Sequence, residues 1–259
     1  MDKPLVELAI AEGIADLRIT RPDALNAINA DMAADFLSAV CRIEDDPSVR
    51  VVKISSEGRA FMAGGDIASF KEGADAIADN LIAPMSEALD ILANLKAPVV
   101  GCVQGAAAGA GMSLALACDI VIAADNAKFT FAYGMLGASC DLGISWHLPR
   151  AVGLSRALTI ALLSDAITAH EAHSLGFVYK VVPIDQLEGE TNALVKRLAD
   201  SATVAMGAIK SLFRLSSQRP YMSQMAAERD MFKACAETQD FKEGVEAFLT
   251  KRRPKFIGS

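Results

Sequence analysis

The chain has 259 residues, 52% hydrophobic and 22% charged, with aromatics at 6% and one Trp; this composition excludes a disordered, collagen-like or coiled-coil chain and allows a sizeable core. The 25 Lys and Arg against 32 Asp and Glu leave a net charge of −7, which disfavours nucleic acid and anionic membranes as partners yet permits a local basic pocket for one phosphorylated ligand. Five Cys, odd in number, scattered and never spaced as CxxC, point to reduced thiols in a cytosol, with no disulfide frame and no zinc site.

Met1-Asp2-Lys3-Pro4 carries no basic patch followed by an apolar stretch, so no secretory signal is expected and the location expected is cytoplasmic. Val6 to Thr20 reads as a hairpin turning at Glu12-Gly13, and Arg21-Pro22-Asp23 breaks it. Asp31 to Ile43 places Met32, Phe36, Ala39, Val40 and Ile43 at helical spacing, with Asp31 as the expected N-cap. Asp45-Asp46-Pro47 ends that helix, and Val49 to Ser55 follows as a short buried strand. A second cycle runs from Asp79: a helix to about Leu95, a break at Pro98, a strand over Val99 to Val103, a Gly/Ala turn, a helix over Met112 to Ala117 and a strand over Asp119 to Ala124. After one more strand, Val178 to Val182, the pattern turns helical, with helices expected at 186–199, 203–217, 221–236 and 240–251.

These elements make an α/β front and a helical back joined without a long linker. The expected organisation is an α/β core over 1–190 and a C-terminal helical region over 191–259 belonging to the same fold. The uncharged run Ala97 to Cys118 is long enough to cross a bilayer, but Pro98, Gln104 and the Gly/Ala cluster read better as a buried strand, a tight turn and a helix.

Two small-residue segments could carry chemistry: Gly58 to Ile67, after the third strand, and Gln104 to Met112, between a strand and a helix. Small residues let a ligand approach backbone N–H groups, and a helix N-terminus adds partial positive charge. Two such turns aimed at one point would form an oxyanion hole for a thioester carbonyl. The same cluster would equally serve tight helix–sheet packing, and neither segment fits a nucleotide-binding glycine motif.

Arg21-Pro22-Asp23-Ala24-Leu25-Asn26-Ala27, Ala60-Phe61-Met62-Ala63-Gly64-Gly65-Asp66, the stretch from Ala97-Pro98-Val99-Val100 to Cys118-Asp119-Ile120, and the ending from Glu243-Gly244 to Lys255-Phe256 resemble, in order and nearly end to end, the enoyl-CoA hydratase/isomerase (crotonase) superfamily. The resemblance implies a crotonase-like spiral of ββα turns, C-terminal helices that build a homotrimer or dimer of trimers, and acyl-CoA thioester substrates. Coenzyme A would arrive as part of the substrate, with no separate cofactor and no metal.

Carried over by motif, the backbone N–H groups of Ala63 and Ala110 match the family's oxyanion hole. Ala24, Leu25, Ala63, Asp66 and Ile67 match the CoA-binding surface, with Phe248 and Lys251 contributed by a neighbouring subunit. The hydratase members' two Glu positions hold Ser113 and Tyr133 here, and neither side chain is a carboxylate base at neutral pH. Asp141, eight residues beyond Tyr133, resembles the catalytic Asp of the phenylacetate-catabolism isomerases, the dienoyl-CoA isomerases and the 4-chlorobenzoyl-CoA dehalogenases.

The reading these residues favour is an enoyl-CoA double-bond isomerase with Asp141 as proton shuttle and Tyr133, Ser113 and Leu136 shaping the acyl pocket. Asp141 could also cap the helix that starts near Gly143. A dehalogenase would need a His base where Ser86 stands. A hydratase-like enzyme and a non-catalytic acyl-CoA-binding protein are the remaining alternatives. His147 is expected on the surface of a Leu142 to Arg150 helix. His170 and His173 read as a solvated helix face, with no metal site.

Overall fold

β1 (Val6–Ala11) and β2 (Ile14–Ile19) form the expected hairpin, turning through Glu12 and Gly13, both with positive φ. The computed structural model describes residues 4–259, Glu72 by its backbone alone. Met1–Lys3, on which the reading of a missing secretory signal partly rests, lie outside the described residues.

β2 continues in parallel with β3 (Val51–Ser56), β4 (Val99–Val103), β6 (Ile120–Ala124) and β9 (Lys180–Val182), giving the order β1-β2-β3-β4-β6-β9. Strands buried on both faces need helices on both sides. α1 (Ala30–Glu44) and α3 (Ala83–Asn94) supply one layer, closing with Leu17, Ile19 and Ile54 over a continuous core. α8 (Leu187–Ala199) covers the other face through Leu187, Leu194 and Val195 against Val51, Val100 and Ile122.

α1 begins earlier than the periodicity alone suggests. Its cap is Asn29, whose side chain accepts from Met32 N–H at 3.0 Å, so Asp31 lies inside the first turn, where its charge favours the helix dipole. The helix expected from Asp79 starts at α2 (Ala74–Ile77) and passes through a π turn at Ala78–Ile82 into α3.

A second, small sheet joins β5 (Ala106–Ala108), β7 (Lys128–Thr130) and β8 (Ile167–Thr168). The Gly/Ala turn therefore contains a strand, too short to show a period. α4 (Ala110–Ala117) follows it directly. α5 (Ile144–Val152), α6 (Leu154–Leu163) and α7 (Ala169–Leu175) fill the interval before β9.

α9 (Thr203–Leu215), α10 (Tyr221–Ala236) and α11 (Gln239–Leu249) fall close to the expected ranges. They leave Phe213, Tyr221, Met222, Phe232, Phe248 and Leu249 exposed, and α10 buries no residue. The chain end is tied back by Asp240, whose carboxylate accepts from Ile257 N–H at 2.7 Å and Gly258 N–H at 2.8 Å. Asp240→Ala should therefore cost about 1–3 kcal/mol, because two backbone donors lose a charged acceptor; urea unfolding checks this. No helix of the described residues is long and apolar enough to cross a membrane.

Candidate active site

The two small-residue segments meet. Met62 N–H donates to Ala106 C=O at 3.0 Å and Ala108 N–H to Met62 C=O at 2.9 Å, pairing the loop after β3 with β5. A Cβ on Gly111 would stand 2.1 Å from Met62 O, so a side chain there is impossible without separating the segments. Gly64, at φ +102, faces Ala108 O and Ala110 N, at 3.2 and 3.9 Å from the position its Cβ would take. Close packing thus brings the loop after β3 against the N-terminus of α4.

One of the two N–H groups matched by motif is engaged in the backbone. Ala63 N–H donates to Leu25 C=O at 3.0 Å, which engages it in the backbone. Gly65 N–H, two residues on, has no recorded acceptor among the described residues, nor does Ala110 N–H. Ala110 is the first residue of α4, where an N–H has no intrahelical partner, and it keeps the negative φ that a Cβ requires. Gly65 and Ala110 N–H are thus among the unengaged donors of the two adjoining segments, together with Gly64 N–H and the next two N–H groups of α4. The signal for Gly65 was present in the double glycine, but strand-bridge pairing decides which N–H is left over.

The Arg21–Ala27 turn is fastened to the same loop. Leu25 and Asn26 both adopt left-handed backbone, at φ +52 and +58; for leucine that conformation is uncommon and held by its surroundings. Fully buried Asn26 donates to Glu57 C=O and Ala60 C=O, each at 2.8 Å, and accepts from Arg21 N–H at 2.9 Å. Arg21 pairs with Asp66 at 2.7 Å, and Ala68 N–H reaches the other Asp66 oxygen at 3.0 Å. The Arg21 guanidinium holds the Asp66 carboxyl below its usual range. Both oxygens of Asp66 are thus occupied in fixing the turn, while Ala24 and Leu25 sit on it and Ile67 is exposed beside it.

Ser113, Tyr133 and Asp141 come together from α4, from the 3-10 turn Ala132–Leu136 and from the loop before α5. Ser113 Oγ is 2.7 Å from Tyr133 Oη, and the Tyr133 hydroxyl donates to Asp141 Oδ1 at 2.5 Å. The Tyr133 ring is buried, edge-on to Phe131. Burial and the neighbouring carboxylate push the phenol far above its ordinary value, so it remains a donor. Asp141 is half-buried, and desolvation raises its carboxyl above the ordinary value although the Tyr133 hydrogen bond opposes this. Leu136 ends the same turn and is exposed.

Asp141 does not cap α5. The cap position is Gly143, without a side-chain bond, and the chain turns there through Leu142 (φ +50) and Gly143 (φ +74). That reversal frees the carboxylate to face Tyr133. His147 lines a cleft of about 350 Å³ together with Ser86, Leu142 and Gly143, and desolvation pushes its pKa down to about 4. His173 Nδ1 is 2.9 Å from Val178 O, and no group of His, Cys, Asp and Glu suited to a metal occurs among the described residues. Phe248, 84% exposed on α11, borders an apolar cleft with Phe241, Leu249 and Phe256; Lys251 follows the helix, exposed.

Residues 9–259 match the family model described as enoyl-CoA hydratase/isomerase. The chain belongs to this crotonase superfamily of acyl-CoA enzymes. It is 35% identical to the 1,2-epoxyphenylacetyl-CoA isomerase of Escherichia coli, covering 96% of this chain and 97% of that one. It is 36% identical to the crotonyl-CoA hydratase of Syntrophomonas wolfei, over 95% of both. The crystal structure of an enoyl-CoA hydratase from a Polaromonas species superposes with a TM-score of 0.91 at 33% identity, covering 97% of this chain and 99% of that one. Relatives of both activities stand at similar identity, so the chemistry has to be argued from the site.

Proposed function

We propose that the protein is an enoyl-CoA double-bond isomerase in which Asp141 carries a proton between two carbons of the acyl chain while Gly65 and Ala110 N–H groups hold the thioester oxygen. The observation that carries this reading is the 2.7 Å contact between Ser113 and Tyr133. These side chains occupy the positions that resemble the hydratases' two Glu, and at hydrogen-bond distance they leave no space for a water between them. A lone carboxylate beside an oxyanion hole is suited to allylic proton transfer: it takes the proton, the hole stabilises the dienolate, and the same acid returns the proton.

Burial without a cationic partner favours this use of Asp141, because a base with a raised pKa is also a competent acid closer to neutrality. The test is a panel of 3-enoyl, 2-enoyl, dienoyl and halobenzoyl CoA thioesters, followed for isomer, hydrate and halide. Isomer without hydrate or halide is the expected result. Halide release with an aspartyl ester on Asp141 would make the protein a dehalogenase, and binding without any product would make it an acyl-CoA carrier.

The bare apolar faces of α6 and α9–α11 support assembly into a trimer or a dimer of trimers, since exposed patches of this kind mark interaction sites. In that assembly Phe248 and Lys251 reach a neighbour's CoA site. Sedimentation is expected to give three or six times the chain mass, and Phe248→Ala to raise KM for acyl-CoA more than it lowers kcat.

A further inference from the structure

The hydrogen bonds around Asp141 make its two oxygens unequal. The Tyr133 phenol has one proton and gives it to Oδ1 at 2.5 Å. In the 2.7 Å contact with Ser113 the phenol oxygen must then accept, and Ser113 donates. Ser113 is fully buried in the first turn of α4; with its one proton given to Tyr133, the Gly109 and Asp141 carbonyl oxygens, 3.3 and 3.4 Å from its Oγ, are close neighbours and not its acceptors. No side chain among the described residues bonds Oδ2; the carboxyl's other hydrogen bond comes from the Asp141 backbone N–H.

We propose that Tyr133, held by Ser113, is a positioning residue that immobilises Oδ1 and leaves Oδ2 as the single atom of Asp141 that carries the substrate proton. This rests on Asp141 being the base. The stereochemical consequence follows from having one carrier on one side of the acyl plane. Oδ2 takes a proton from Cα of a 3-enoyl thioester; the C–H electron pair forms the enolate double bond, and the thioester oxygen takes the negative charge. When the carbonyl reforms, the enolate pair shifts to make Cα=Cβ, the Cβ=Cγ π bond breaks and its pair takes the same proton from Oδ2 at Cγ on the same face, returning Asp141 to the carboxylate. Nothing is gained or lost overall. Among the described residues, Tyr133 is the one titratable group with a resolved effect on Asp141.

The test compares wild type with Tyr133→Phe, which keeps the ring and its packing on Phe131, and with Ser113→Ala as the milder second variant. The Asp141 carboxyl is titrated by carbon-13 NMR, which needs no substrate. Its pKa should rise in Tyr133→Phe, because the bond that favours the charged form is gone and desolvation remains. With 3-hexenoyl-CoA deuterated at Cα, in ordinary water, wild type should deliver deuterium to Cγ. Tyr133→Phe should deliver a smaller share, with kcat about ten- to a hundredfold lower and KM little changed; Ser113→Ala should fall between. An unchanged Asp141 titration together with unchanged deuterium delivery in a folded Tyr133→Phe protein overturns the proposal. An Asp141→Asn protein that isomerises at the wild-type rate instead overturns the reading of Asp141 as base, and the two failures are told apart by that control.

Discussion

Asp141→Asn is expected to bind acyl-CoA and to lose allylic proton transfer by about 10²–10⁴-fold, the range that a positioned acid–base group contributes. The amide is nearly the same shape, so Tyr133 can still donate to its oxygen, and what disappears is the ability to accept a proton. Exchange of the allylic hydrogens with deuterated water gives a direct measurement. Persistence of wild-type exchange would rule out Asp141 as the shuttle.

The same substitution should leave stability equal or higher. Desolvation raises the Asp141 pKa above its ordinary value of 3.8, so between the unfolded and folded values the native state holds a proton that the unfolded chain has released. Stability attributable to this group therefore falls as pH rises through that window, and the variant lacks the loss. For the wild type, kcat/KM should fall on the acid side with an apparent pKa above 3.8, because the reaction starts from the carboxylate. With Asp141 as the proposed base, the enzyme would be less stable when that base is charged and active only in that state, the balance of a site selected for chemistry over stability.

Sequence reasoning reached the α/β order, the C-terminal helices and the residues that meet at Asp141, but reached them unevenly. Long amphipathic helices such as α1 and α9 declare themselves through the 3.6-residue period, and buried parallel strands such as β4 through short unbroken apolar runs. β5, β7 and β8 have two or three residues each, too few for any period, and they exist because tertiary pairing completes them. The same limit applies to the proposed oxyanion donors. Motif position pointed to Ala63, whereas the choice between neighbouring N–H groups depends on which one the Leu25 carbonyl captures, a long-range hydrogen bond with no local signature. Likewise Ser113 and Tyr133 stood out as departures from a two-carboxylate design, but their mutual bond and its continuation to Asp141 appear only when α4 and the 3-10 turn are packed together.

Ala110→Pro offers the cleanest removal of a proposed oxyanion donor. A backbone N–H cannot be deleted by changing a side chain, except to proline, and proline is ordinarily ruinous inside a helix. Ala110 is the first residue of α4, where the missing N–H breaks no intrahelical bond and the fixed φ of proline suits a helix start. Gly109 precedes it at φ +51, ψ −119, an extended conformation of mirror-image hand that glycine can keep before proline. The melting temperature should therefore stay close to wild type. The reaction should not: losing one donor from an oxyanion hole costs about 10²–10³ in kcat, and the proline Cδ would lie where the thioester oxygen approaches, so acyl-CoA affinity should drop as well. Because Asp141 remains intact, its NMR titration should be unchanged, which separates failure of the hole from damage to the base. Retention of full kcat by a folded Ala110→Pro protein would place the enolate oxygen away from the α4 N-terminus and would require a different pose for the thioester.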